Sequence, residues 1–329
     1  MARSKVYFGD EICPDVHEDG FTFYRRENET PLMIMMVGLP GSGKSTLAKM
    51  MYVVNLYGNP EIVRPRIHSS DALRKEMFGD EETQSDNNKL FAELHRRIRE
   101  DLSNGKDVIY DATNIKKKER IAFLDSLKKI PCWKVALVVA TEYERCLERN
   151  NNRERKVPED VIRRMFLNWN PPHYGEGFDA VDYEFSGKYR SKESYLKIAD
   201  SFDQENHHHR HTLGEHSRMV KKSVVPYGNY CLTTAALLHD VGKLVTKTRG
   251  EDGDCHYYNH HCAGAYNAMF YLQEDYPEDI TDIVNLIYYH MHPFDAWKSE
   301  RARLRDKELL GEELFKMVML LHEADKEAT

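Results

Sequence analysis

Gly38-Leu39-Pro40-Gly41-Ser42-Gly43-Lys44-Ser45 fits the pattern GxxxxGK[ST], with an apolar run, Leu32–Val37, before it and a helix-forming stretch after it. The pattern carries weight in that setting, where a strand runs through a glycine turn into a helix. Gly38, Gly41, Ser42 and Gly43 can then turn their backbone N–H groups onto a β-phosphate. Lys44 reaches the β- and γ-phosphates, and the Ser45 hydroxyl is placed for Mg²⁺ at a helix N-terminus. Thr46 counts with the nucleotide contacts, though more as a helix residue than as a second metal ligand. The stretch asks for a nucleoside triphosphate such as ATP and for an α/β fold.

Outward from the loop the order is a helix at 44–56, a strand at 62–68, helices through Asp101, a strand at 108–111, a helix at 117–129, a strand at 133–140 and a helix at 142–149. Such alternation predicts a parallel sheet with helices on both faces. Ahead of it, the alternating pieces 5–8 and 21–24 predict a small hairpin. The charged stretch 150–156 predicts a lid, and Pro158 suits the first turn of the next helix. Asn170-Pro171-Pro172 and Gly175-Glu176-Gly177 break the pattern, and beyond Glu205 the apolar spacing is helical throughout. The fold class expected is an α/β domain followed by an all-α domain.

Composition narrows the classes. A chain of 329 residues favours two domains. No apolar run reaches the roughly 20 residues of a membrane helix, and the first ten residues lack a secretory-type apolar core, so a soluble cytoplasmic protein without membrane partners is expected. Six cysteines without a CxxC pair predict reduced, packed thiols. A net charge of −7 argues against non-specific wrapping of nucleic acid and leaves room for a local basic channel.

Several side chains could serve phosphoryl transfer. Asp71, in Ser70-Asp71-Ala72-Leu73-Arg74, follows the second strand at the ligand-binding edge of an open α/β sheet. It has two readings, a base for an attacking hydroxyl or a cap for its helix. Arg74, one turn on, can hold an acceptor phosphate. Asp111 ends a strand where a carboxylate orients Mg²⁺, with Asn114 in support. Arg149, Arg153, Arg155 and Lys156 of the lid can neutralise charge in the transition state.

The second half concentrates the histidines: His216, His239-Asp240, His260-His261, His290 and His292, followed by Asp325. One histidine on an apolar helix says little. An ordered set on successive helices can converge on metal inside a bundle. Lys243 stands near the His-Asp pair and can stabilise phosphoryl oxygens. His261 and His292 stay as alternates, since neighbouring residues on a helix point different ways. The internal run His207-His208-His209-Arg210-His211 reads as a polar loop.

Residues 33–170 resemble the kinase domain of phage-type 5′-hydroxyl polynucleotide kinases. The matching pieces are GLPGSGKST at 38–46, SDALR at 70–74, DATN at 111–114, WKV at 133–135 and RNNNRERKVPEDVIRRM at 149–165. The resemblance implies that Lys44 and Ser45 handle ATP and Mg²⁺. It makes Asp71 the general base, Arg74 the contact to the acceptor phosphate, Asp111 a support of the site and Arg153 the lid arginine. Those phage enzymes carry a DxDGT-like phosphatase motif that this chain lacks, Asp252-Gly253-Asp254 being too short a match.

Residues 205–329 resemble the HD phosphohydrolase superfamily instead, through EHS at 215–217, LLHDVGK at 237–243, YYNHHCAGA at 257–265, YYHMH at 288–292 and EADKEA at 323–328. That resemblance implies one metal on His216, His239, Asp240 and Asp325 and a second on His260 and His290, with Asp240 bridging. Mn²⁺, Ni²⁺, Co²⁺ and Fe²⁺ are the candidates. Such a pair of cations stabilises the attacking and leaving oxygens of a phosphoester.

The expected organisation is therefore an extension at 1–30, a polynucleotide-kinase-like domain at 31–175, a linker at 176–204 and an HD domain at 205–329. The combination resembles bacterial end-healing enzymes that join the same two domains with the HD domain first. It implies a 5′-hydroxyl kinase with a 3′-phosphatase or 2′,3′-cyclic phosphodiesterase acting on RNA or DNA ends, RNA favoured, upstream of a nucleic-acid ligase. A small-molecule or nucleoside kinase joined to a nucleotide hydrolase, or an HD hydrolase regulated by ATP, would share these motifs.

Overall fold

A computed structural model describes residues 21–25, 30–55, 61–79, 86–206, 211–251 and 253–328. The first half holds β1 (Phe21–Arg25), β2 (Leu32–Val37), α1 (Lys44–Met50), β3 (Met51–Asn55), β4 (Glu61–Val63), β5 (Arg66–Ser69), α2 (Ser70–Phe78) and α3 (Asn87–Ser103). It continues with β6 (Val108–Asp111), α4 (Lys117–Ser126), β7 (Trp133–Thr141), α5 (Tyr143–Asn151), α6 (Glu159–Phe166) and β8 (Ala180–Ser186). Five of these strands form a parallel sheet in the order β5-β6-β2-β7-β8.

The side-chain period of two divides the sheet's apolar residues between two cores. Met33, Met35 and Val37 join Val108, Tyr110, Ala136 and Val138 on one face, against α3 and α4. Ile34 and Met36 join Ile109, Val135 and Leu137 on the other, against Ala48 of α1 and the small sheet β1-β3-β4.

Three expectations are corrected. The helix foreseen at 44–56 ends at Met50, because Tyr52-Val53-Val54 pairs as β3 in parallel with β1, where β-branched residues fit better than in a helix. The other half of the foreseen hairpin, 5–8, lies outside the described residues, as do His207–Arg210. The strand at 62–68 splits at Arg64-Pro65, a residue without an N–H, into β4 of the small sheet and β5 of the large one. Residues 176–204, foreseen as a linker, supply β8 and α7 (Lys192–Ala199), so the sheet gains its fifth strand past the glycine-rich break.

The second half is helical: α8 (Leu213–Val224), α9 (Tyr230–Leu238), α10 (Lys243–Thr246), α11 (His260–Ala268), α12 (Pro277–Tyr289) and α13 (Glu300–Glu327), which kinks at Gly311. A short hairpin, β9 (Thr248–Arg249) with β10 (Cys255–His256), interrupts them. The Thr212–Glu215 capping box starts α8. No described helix is long and apolar enough to cross a membrane, and the five described cysteines are free and buried.

The two halves share a core, for Tyr266 of α11 meets Phe166 and Trp169 edge-to-face at 5.4 and 5.3 Å, and its hydroxyl donates to the Thr141 carbonyl. Lys117 of α4 donates to Tyr289 Oη at 2.6 Å and Asp306 Oδ1 at 3.0 Å across the junction. Beside it the fully buried Arg120 meets the fully buried Glu176 through two 2.7 Å contacts and bonds the carbonyls of Asn114, Asn170 and Pro171. Glu176→Ala would leave that guanidinium buried without a counter-charge, at a cost of about 3–5 kcal/mol. Calorimetry should show Tm falling by roughly 6–20 °C, and a fall under about 2 °C would refute the role assigned to this pair.

Candidate active sites

A cavity of about 910 Å³ opens at the C-terminal edge of the parallel sheet, with the phosphate loop as its floor. Gly41 sits at φ +83°, and a Cβ there would come within 2.2 Å of the Cys146 carbonyl oxygen, so glycine is required. Lys44 folds back over the loop, its Nζ donating to the Gly38 and Leu39 carbonyls at 2.9 and 2.8 Å. Burial pushes its pKa down against the pull of Asp111, so phosphate oxygens would restore the stability of its charge. Ser45 Oγ donates to Asp111 Oδ2 at 2.7 Å, which puts a hydroxyl and a buried carboxylate together where Mg²⁺ would be held. Arg149 braces the loop from behind, bonding the Ser42 carbonyl at 3.1 Å and Ser186 Oγ at 2.9 Å.

Across the cavity, Ser69 occupies the N-cap of α2 and accepts from the Ala72 N–H, while Asp71 lies in the first turn. The capping alternative for Asp71 is thereby removed. Its carboxylate, half exposed, pairs with Arg155 of the lid. Arg74 Nη2 donates to Asn87 Oδ1 at 2.9 Å. Arg153 is held by Asn150 Oδ1 at 2.7 and 3.1 Å, and the same oxygen accepts from Val157 N–H, so one buried asparagine sets the lid turn. Gly41, Gly43, Lys44, Ser45, Thr46, Asp71, Arg74, Asp111, Asn114, Arg149, Arg153 and Arg155 all line this cavity, whereas Lys156 does not.

One wall escaped the sequence reading. Asn87, Phe91, His95 and Arg99 recur every fourth residue along α3 and extend the cavity toward α4. That spacing was available as a signal, masked by the stronger apolar stripe Leu90, Leu94, Ile98 and Leu102. His95 lies 4.4 Å from the Phe123 ring and bonds Tyr110, and burial pushes its pKa down to about 4, so it is neutral near pH 7.

The second cluster lies wholly in the helical half. His216, His239 and Asp325 form one group of converging ligand atoms, and Asp240, His260 and His290 form another. Asp240 faces both: Oδ2 is 3.3 Å from His239 Nε2, and Oδ1 is 3.2 Å from His260 Nε2. Asp325 Oδ1 lies 3.0 Å from His216 Nε2. Each histidine anchors its Nδ1 on a backbone carbonyl, those of Ala328, Ala236, Tyr257 and Ile287 in chain order, at 2.6–3.3 Å. A ring that donates through Nδ1 turns a bare Nε2 inward. The Nε2 atoms of His216 and His239 are 3.2 Å apart, as are those of His260 and His290. At that distance each pair of Nε2 atoms can share a proton or converge on a cation.

Electrostatics agree. Burial alone would lower His239, but Asp240 and Asp325 outweigh it and raise its pKa to about 10, so these carboxylates favour a cation at this ring, whether a proton or a metal. Lys243 is buried, not a surface lysine: Nζ meets Asp240 Oδ2 at 2.7 Å and donates to Gln204 Oε1 at 2.9 Å. Gln204 had no signal in the sequence. Gly242 lets α10 approach α11, since a Cβ there would lie 2.0 Å from the His260 carbonyl oxygen. His261 and His292 lie outside both groups and pack against Tyr288, with burial lowering their pKa to about 3 and 4.

Comparison with known proteins supports the same division. Residues 33–172 match the AAA domain family and residues 213–329 the HD domain family. The chain is a P-loop kinase-like domain followed by an HD domain. The L-seryl-tRNA(Sec) kinase of Methanococcus maripaludis is 27% identical over 158 residues, which cover 46% of this chain and 57% of that relative's length. A solved structure from Chloroflexus aurantiacus aligns at 15% identity with a TM-score of 0.36, covering 47% of this chain and 88% of that one. A gluconokinase from Sinorhizobium meliloti aligns at 17% with a TM-score of 0.32, covering 48% and 85%.

The kinase-like domain implies ATP with Mg²⁺, and the HD domain implies a divalent metal. The residues present fit both. Ser45 and Asp111 would hold Mg²⁺. The four histidines with Asp240 and Asp325 would hold metal in the HD domain, where bound cations polarise a phosphoester and activate water.

Proposed function

We propose that the chain heals broken nucleic-acid ends, with RNA as the favoured substrate. The P-loop domain transfers the γ-phosphoryl group of ATP to a 5′-hydroxyl. The HD domain removes a 3′-phosphate or opens a 2′,3′-cyclic phosphate. A nucleic-acid ligase would then join the ends.

The observation that carries the kinase reading is the placement of Asp71 and Arg74 opposite Lys44, Ser45 and Asp111 across one cavity. Asp71 takes the proton of the acceptor hydroxyl, whose oxygen attacks the γ-phosphorus as the bond to the ADP oxygen breaks. Arg74 holds the acceptor's own phosphate. Lys44 and the lid residue Arg153 stabilise the transferring group, and Arg155 keeps the Asp71 carboxylate oriented. About 910 Å³ is near the upper end of ordinary ligand pockets, which suits a triphosphate plus an acceptor. Phe91 and Arg99 give the acceptor side a ring and a cation, the pairing that single-stranded nucleic acid uses.

In the HD domain, Asp240 bridges the two ligand groups and Lys243 faces the phosphoryl oxygens. Imidazole and carboxylate donors suit Mn²⁺, Fe²⁺, Co²⁺ or Ni²⁺.

A second reading, a kinase for a different hydroxyl joined to a nucleotide hydrolase, draws support from the relative named for L-seryl-tRNA(Sec). An acceptor panel separates them. With γ-labelled ATP and Mg²⁺, label should enter 5′-hydroxyl RNA faster than seryl-tRNA, free nucleosides or gluconate. Label on any of the last three with none on RNA or DNA ends would replace the first reading by the second.

A further inference from the structure

Beside the metal-ligand cluster is a pocket of about 350 Å³, bounded at its inner end by Asp240, Lys243, His260 and Asp325 and at its mouth by Tyr258, His256, Phe294 and Lys326. Tyr258 is 70% exposed, among the most exposed large rings described. It is nonetheless fixed: it stacks on His256 at 5.5 Å and 18°, at the end of the β9–β10 hairpin. That hairpin is tied down by the Cys255 N–H bond to the Glu205 carbonyl and by the Asn206 side chain on the Cys255 carbonyl. The neighbouring Tyr257 hydroxyl donates to the Gln204 carbonyl, and the Gln204 side chain holds Lys243. Phe294, 38% exposed, is braced edge-to-face on His322 at 4.3 Å.

Two exposed rings, each packed on a histidine and both lining a pocket beside the metal-ligand cluster, offer apolar surface to a flat ring. We infer that the HD pocket selects substrates by stacking their terminal nucleobase on Tyr258 and Phe294 while the phosphoester lies at Asp240 and Lys243. Lys326 adds attraction for an anionic chain. A base must leave its pairing partner to lie on these rings, so the substrate is an unpaired 3′-terminal nucleotide. The inference rests on the phosphoesterase reading of this domain.

The test compares adenosine 2′,3′-cyclic phosphate and adenosine 3′-phosphate with glycerol 2-phosphate, which has no ring, using Mn²⁺-loaded full-length protein. In the wild type kcat/KM should favour the adenosine substrates. Tyr258→Ala should lower the adenosine-to-glycerol ratio about ten-fold, the size of one stacked base, mainly through KM. Tyr258→Phe should restore the ratio, and Phe294→Ala should lower it independently. Calorimetric binding of adenosine 3′-phosphate to metal-free protein should weaken in parallel. Hydrolysis with no preference for the adenosine substrates, or a ratio unchanged in both alanine variants, overturns the stacking inference alone. Hydrolysis of none of the three substrates overturns the phosphoesterase reading and this inference with it.

Discussion

Asp71→Asn is expected to slow phosphoryl transfer about 10²–10⁴-fold, the usual contribution of a general base, while ATP binding followed by a labelled analogue stays within a few-fold. The substitution keeps a hydrogen-bond acceptor for Arg155 and removes the proton-accepting charge, so the lid contact and the base function are separated. Because Ser69 caps α2, no helix-capping loss confuses the result. A domain that used ATP only to regulate its neighbour would lose nothing in its ATP response. Transfer persisting at the wild-type rate would remove Asp71 from the chemistry.

Asp240→Asn should abolish phosphoester hydrolysis, by on the order of 10³-fold or more, because one side chain serves both ligand groups and anchors Lys243. The stabilisation expected when Mn²⁺ binds, about 2.7 kcal/mol at a hundred times Kd, should disappear with it. Phosphoryl transfer by the P-loop domain should be unaffected, since that site's own ligands, Ser45 and Asp111, lie in the other domain. Hydrolysis retained within ten-fold would mean that Asp240 does not bridge.

The candidate site residues were more legible than the joints that position them. The phosphate loop follows a rule of local spacing, while Asp71, Arg74, Asp111 and the His-Asp series stood out through their short motifs and the resemblances those motifs carry, and the structure gathers them into one cavity and one buried cluster. What stayed hidden depends on long-range pairing. Residues 52–54 become a strand because β1 lies beside them. Ala180–Ser186 joins the sheet because the edge of β7 is open to it. Lys117, in the charged run 116–120, is drawn into the junction by Asp306 and Tyr289. Arg120 is likewise the partner of a glutamate 56 residues away.

The most direct measurement uses one oligoribonucleotide with a 5′-hydroxyl and a 2′,3′-cyclic phosphate, incubated with the protein, γ-labelled ATP, Mg²⁺ and Mn²⁺, with both ends resolved. Label at the 5′ end that is lost in Asp71→Asn, together with cyclic-phosphate opening that is lost in Asp240→Asn, is the result predicted. An RNA left unchanged at both ends, while a small hydroxyl compound accepts the label, would contradict the account.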